Sequence, residues 1–347
     1  MKKTLLALAV LASIAGVASA QSSVTIYGVV DAGITRETGA IAGAVTKLST
    51  GVQSGNRLGF KGTEDLGGGL KANFQLENGF DLDTGAQRQS GRLFGRQAWV
   101  GLSGAFGAVN LGRQYNPIFL SMDAIDPFGT GLSGATTNLM SAGTVRVDNA
   151  ITYSMPAING FTATALFGAG ESSNGNKVNA KAGASVDFNK GPLLVTAAWN
   201  KVASNSAIVG SNGTEDILVG ATYNFGPVTA HAAYETEEVN DGKTAKYRDF
   251  MVGASVPVGP GSFLASYIDK NDRMANSKKG AKQIAVGYLY SLSKRTNLYT
   301  SYARIKNEAG ARNYVSDASS GGVADASKEQ ALGSTSSAFS VGLRHKF

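Results

Sequence analysis

Apolar and polar residues alternate with period two along most of this chain, and that pattern leaves few folds open to it. Residues 70–77, LKANFQLE, place four apolar side chains on one face and four polar ones on the other. FTATA at 161–165 repeats the pattern, and the terminal FSVGLRHKF, 339–347, alternates to the last residue. Successive side chains of a strand point to opposite sides, so each segment is a strand with one oily and one wet face. The connections alternate too. Short ones rich in turn formers fall at 63–69, 103–106, 155–159, 189–192, 226–227, 258–261 and 292–296. Long polar ones fall between them at 36–54, 79–90, 114–145, 168–177, 201–213, 236–246, 269–279 and 306–336. Seven short turns interleaved with eight long loops give fifteen connections and predict sixteen antiparallel strands.

A soluble sandwich shares the alternation but not the strict short–long rhythm, which is the layout of a transmembrane barrel. In lipid every backbone N–H and C=O must be paired within the protein, and a closed barrel does this without leaving an edge. A barrel of this size encloses an aqueous channel rather than a packed interior. The start of the chain agrees. MKKTLLALAVLASIAGVASA has a basic n-region, an apolar core over 5–17 and an A-x-A site ending at Ala20, the form of a secretory signal peptide. Cleavage there leaves residues 21–347 as one barrel with a net charge of +5. No cysteine is present, so an exported chain of this kind relies on hydrogen bonding and packing instead of disulfides. Tyr153, Phe161, Tyr223, Phe225, Phe263, Tyr290 and Tyr299 lie near strand ends and fit interfacial girdles.

One connection stands apart. Residues 114–145, QYNPIFLSMDAIDPFGTGLSGATTNLMSAGTV, form a loop too long for a simple link, and such loops are usually functional. It carries Asp123 and Asp126 and no basic residue, while Arg57, Arg92, Arg96, Arg113 and Arg146 lie on strand-like segments around it. Folded into the barrel, its acids would face an arginine-lined wall; left outside, it is a surface loop with scattered charges.

Several stretches resemble the trimeric general porins of Gram-negative bacteria, above all the betaproteobacterial branch. They are VTIYGVVDAGI (24–34), NRLGFKGTEDLGGGLKANFQLE (56–77), RQAWVGLSGAFGAVNLGRQYNP (96–117), RVDNAITYSMPAINGF (146–161), LSKRTNLYTSYA (292–303) and FSVGLRHKF (339–347). The resemblance implies an all-β, 16-stranded antiparallel transmembrane barrel in the outer membrane, assembled as a homotrimer. It implies that the third external loop, here 114–145, folds inward as a constriction. It matches Arg57, Arg96 and Arg146 to the basic wall and sets Asp123 and Asp126 where loop acids are expected. The PEFGG motif of enterobacterial relatives is absent; this loop has Asp-Pro-Phe-Gly at 126–129. A C-terminal aromatic such as Phe347 is what the barrel-assembly machinery reads in the family.

Strand phase supports one of these assignments independently. Arg57 alternates with apolar Leu58 and Phe60, so Arg57, Gly59 and Lys61 face the lumen. Alternation is broken around Arg96, the phase of Arg146 is open, and Arg92 fits either the same face as Arg96 or the loop. Arginine keeps its charge at any working pH. In a narrow site three arginines against two acids predict a weak to moderate preference for anions. The competing reading has the acids neutralise the arginines and simply fasten the loop.

The expected function is a passive channel for small hydrophilic solutes and ions, with a substrate-specific anion channel as the alternative and a receptor or adhesin role for the long loops also open. Catalysis is disfavoured. There is no cysteine, HExxH, GxSxG or phosphate loop, and neither His231 nor His345 belongs to a triad-like spacing. No cofactor or metal motif stands out, since NDGK at 240–243 lacks the acidic spacing of a calcium loop. The expected partners are solutes, outer-membrane lipid and lipopolysaccharide, with no nucleic acid.

Overall fold

Each alternating segment becomes an antiparallel strand in the computed structural model, which describes residues 23–40, 43–171, 178–203, 213–239, 243–315 and 331–347. The signal peptide read over 1–20 lies outside the described residues. The strands are β1 (Ser23–Ala40), β2 (Gly43–Thr50), β3 (Arg57–Gly67), β4 (Leu70–Gly79), β5 (Gln97–Gly104), β6 (Gly107–Tyr115), β7 (Arg146–Ser154), β8 (Phe161–Gly168) and β9 (Lys181–Lys190). They continue as β10 (Leu193–Val202), β11 (Thr214–Asn224), β12 (Thr229–Val239), β13 (Ala245–Val258), β14 (Gly261–Asp272), β15 (Ala281–Ser291), β16 (Thr296–Asn307) and β17 (Thr335–Lys346). All seven short turns fall where the sequence places them.

The sheet closes on itself. β1 pairs with β17 from Val29↔Lys346 to Thr38↔Ser337. Gly28 and terminal Phe347 exchange both backbone hydrogen bonds at 3.1 Å. On its other side β1 pairs with β2 over its second half and with β3 over its first. β2 and β3 are therefore one stave interrupted at 51–56, and seventeen segments make a closed barrel of sixteen staves.

The expected first long loop, 36–54, is corrected by this geometry. Most of it is strand, because Thr35, Arg36 and Glu37 pair with Lys47, Thr46 and Val45, and Glu37 bonds Lys47 at 2.9 Å. The irregular part is the interruption at 51–56. There Asp31 accepts the backbone N–H groups of Gln53 and Ser54 at 2.8 and 2.7 Å, while its own N–H donates to Asn56 Oδ1 at 2.6 Å.

The two faces of the wall are inverted relative to a soluble protein. On β15, Ile284 and Val286 are 54% and 57% exposed, while Gln283 and Ala285, which alternate with them, are buried. On β16 and β17, Tyr302, Phe339 and Val341 face out, and Ser301 and Ser340 face in. An apolar band of this extent is stable only against hydrocarbon. Val286 sits at the middle of its strand, so Val286→Arg is expected to cost about 2–4 kcal/mol in a bilayer. Urea titration of the protein folded into liposomes checks this; an unchanged midpoint would mean that the residue does not face lipid.

Aromatics gather at the short-turn end. Tyr153, Phe161, Tyr223, Phe225, Phe263 and Tyr290 are all exposed. Phe161 with Phe188, Tyr223 with Phe225 and Phe263 with Tyr288 form tilted pairs with centroids 4.5–4.7 Å apart. Tyr299, expected in the same girdle, points inward instead. It is buried and donates its hydroxyl to Asp31 Oδ1 at 2.7 Å, because its strand phase opposes that of outward Leu298 and Tyr302.

Candidate pore constriction

Between β6 and β7 the chain forms a helix, α1 (Pro117–Ile125), with proline in its first turn and Asn116 as its N-cap. Ile118, Ser121, Met122 and Ile125 are buried on one side, whereas Leu120, Asp123 and Ala124 are open on the other. The buried side packs on β9 to β12. There the hydroxyls of Thr196 and Ser121 share a 2.8 Å bond, and Asn116 Nδ2 donates to Asn200 Oδ1 at 2.6 Å. His231 is used here too, its Nδ1 2.9 Å from the carbonyl of Ile125.

Glycines on the inner face make room for this approach. A Cβ on Gly253 would stand 2.7 Å from Pro127 Cγ, and one on Gly220 would collide with Ile125.

Beyond the helix the segment is fastened at successive strands. Lys270 Nζ donates to the carbonyl of Leu139 at 2.8 Å, and the N–H of Ser141 donates to Glu235 at 2.8 Å. Asn138 donates to Gln283 at 2.9 Å, and Ser133 shares a 3.0 Å bond with Ser340. Leu132 N–H donates to the carbonyl of Val52, in the interruption of the second stave, at 2.6 Å. All these wall residues lie on the face opposite the exposed apolar band.

Asp126 organises the turn after the helix. Its carboxylate accepts the N–H groups of Phe128, Thr130 and Thr136 at 2.9, 3.0 and 2.8 Å. Burial nevertheless pushes its carboxyl up to about 6, against the pull of those donors. Asp123 holds the Thr130 hydroxyl at 2.6 Å and is open to water. Its carboxyl is also raised, because the surrounding protein takes part of its hydration although one side meets water, with Thr130 and Arg57 opposing.

All five expected residues, Arg57, Arg96, Arg146, Asp123 and Asp126, line one cavity of about 540 Å³. Their charges are not equally available. Arg96 is buried and paired, its Nε donating to Glu77 at 2.7 Å. Arg96 and Arg146 each donate to the Tyr115 hydroxyl, at 2.6 and 2.7 Å, and Arg146 stacks 4.5 Å over that ring. Arg57 donates through Nε to the carbonyl of Gly55 at 3.0 Å. Among the described residues no carboxylate lies within ion-pair distance of Arg57 or Arg146, in contrast to Arg96. Arg92 and Arg113 are elsewhere, both bonded to Asp148.

The sequence reading missed three participants: Glu77, Tyr115 and Arg344. Arg344 lines the same cavity, donating to Asn297 Oδ1 at 3.0 Å and Ser54 Oγ at 2.9 Å, with no carboxylate within ion-pair distance among the described residues. The alternation of FSVGLRHKF and of LKANFQLE already placed Arg344 and Glu77 on wet faces; what it lacked was which strands meet.

Comparison with known proteins follows the same lines. A family model described as Gram-negative porin matches residues 7–310. Outer membrane porin protein 32 of Delftia acidovorans is 37% identical, covering 89% of this chain and 90% of the relative. A Bordetella pertussis outer membrane porin protein is 34% identical over the full length of both chains. Among solved structures, an anion-selective porin from Comamonas acidovorans superposes with a TM-score of 0.79 at 31% identity, covering 94% of this chain and 100% of that one. The chain belongs to the Gram-negative porin family and is a passive channel of the outer membrane.

Proposed function

We propose that the segment between β6 and β7 folds inward as the constriction of this channel, and that the channel prefers anions. The observation that carries this reading is the cavity lined by Arg57, Arg96, Arg146 and Arg344, of which only Arg96 is within ion-pair distance of a carboxylate among the described residues. Four guanidinium groups stand against the carboxylates of Asp123, Asp126 and Glu77, a surplus of one positive charge. In a narrow aqueous site with low-dielectric walls such a surplus is focused, raising the local anion concentration. The anion selectivity named for the Comamonas relative supports the same sign. Liposome swelling with solutes of matched size is the test. Anionic solutes should enter faster than neutral ones, and cationic ones slowest; equal rates would remove the role given to the arginines.

The carboxyl of Asp126 gives a pH dependence of definite sign. Because it titrates near 6, lowering the pH from about 8 to about 5 removes a negative charge from the cavity. The anion-to-cation permeability ratio from zero-current potentials should rise over that interval, and Asp126→Asn should flatten the rise.

Assembly belongs to the same proposal. The chain acts as a homotrimer after export and cleavage behind Ala20, with Phe347 presented to the barrel-assembly machinery and loop lysines meeting lipopolysaccharide. A fold neighbour, OmpT of Vibrio cholerae, is described in a trimer form. The role is transport without catalysis. His231 engages Ile125 and Ser255 with its two ring nitrogens, which leaves it no substrate-facing nitrogen to act as a base.

A further inference from the structure

The cavity is lined by apolar side chains as well as by its arginines and acids. Leu120 is 49% exposed, although its own helix has a sealed apolar face, Ile118, Met122 and Ile125, into which a leucine would fit. It lines the cavity beside half-buried Phe119 and Leu289. The apolar residues on the outer wall are exposed to lipid, but this leucine is exposed to the water of the channel. Arg57 and Arg146, without carboxylate partners among the described residues, line the same space. A chloride ion would use the arginines and gain nothing from the leucines. An ion with a charged end and a hydrocarbon body would use both.

Resting on the anion-preferring reading above, we propose that the cavity is a seat for organic monocarboxylates with an apolar body. The carboxylate lies on Arg57 and Arg146, where a planar guanidinium matches its two oxygens. The hydrocarbon lies on Leu120, Phe119 and Leu289, removing apolar surface from water on both partners. The cavity of about 540 Å³ leaves room for such an ion together with water, so the seat retards passage without closing it. Weak occupancy suits a channel, since an ion must leave as readily as it enters. A half-open apolar patch discriminates less than an enclosed pocket, so the preference over a short-chain carboxylate is about threefold to tenfold.

The experiment uses the full channel in a planar bilayer with potassium chloride on both sides and benzoate or acetate added as probe. Free in water benzoate is the larger and slower ion, so a sieve acting on size and charge alone favours acetate. The proposal expects benzoate to lower the chloride current at a concentration several times below that needed for acetate. Leu120→Ser should bring the two ions together, while Arg57→Gln should weaken both. Equal block of the native channel by the two ions overturns the apolar seat, and so does an unchanged benzoate-to-acetate ratio in Leu120→Ser. The zero-current potential in plain potassium chloride separates the two readings. If it is anion-directed and the ions block equally, only the seat fails; if it is cation-directed, the anion reading beneath it fails first.

Discussion

Replacing Arg57 and Arg146 together by glutamine is expected to turn the channel from anion- to cation-preferring. The cavity then keeps Arg344 and the Glu77-paired Arg96 against Asp123, Asp126 and Glu77, and its surplus becomes one negative charge. Each single change should bring the surplus close to zero and the permeability ratio close to one. Arg96→Gln is a different substitution despite the same nominal charge change. It strands Glu77 as a buried carboxylate without its cation, at a cost of about 3–5 kcal/mol in stability. The zero-current potential of the double variant checks the sign, and chemical denaturation separates the Arg96 effect. A double variant that stays anion-preferring would move the selectivity away from this cavity.

The second large effect concerns the fastening of the segment between β6 and β7. Asp126→Ala leaves three backbone N–H groups without their acceptor, at about 1–3 kcal/mol for each that water does not reach. The turn after α1 should loosen while the strand ladder stays intact. Single-channel conductance should rise and become noisier, with the folded barrel still resisting denaturation by detergent. Asp123→Ala is the contrast, because Asp123 holds only the hydroxyl of Thr130. Its conductance should stay near the native value while its anion preference increases. Native-like conductance in Asp126→Ala would mean that the ties at Ser133, Asn138 and Leu139 suffice.

The barrel was largely legible in the sequence because its rule is local. A strand declares its two faces through neighbouring residues, and the turns between strands declare themselves through glycine and proline. Arg57 could be assigned to the lumen from Leu58 and Phe60 alone. The same rule covered Arg344 and Glu77, but their part in the cavity comes from closure. β17 lies beside β1, and β1 beside β3, so Arg344, in the last strand, lies close to Arg57 in β3. Sequence spacing carries no trace of that. The interruption at 51–56 was hidden for a related reason. Its glycines and serines read as part of an external loop, whereas Asp31 and Leu132, of the segment between β6 and β7, hold it inside a stave. Tyr299 shows the limit of reading aromatics by position, since an inward acid gave its hydroxyl a partner that lipid would not.

The most direct test is the zero-current potential of the native protein in a planar bilayer separating unequal concentrations of potassium chloride. Arg57, Arg146 and Arg344, none of them within ion-pair distance of a carboxylate among the described residues, predict a potential of the sign set by chloride, decreasing in size as the salt is raised and the field screened. A potential of the sign set by potassium would contradict the account, leaving the carboxylates of Asp123, Asp126 and Glu77 as the dominant charge in the channel.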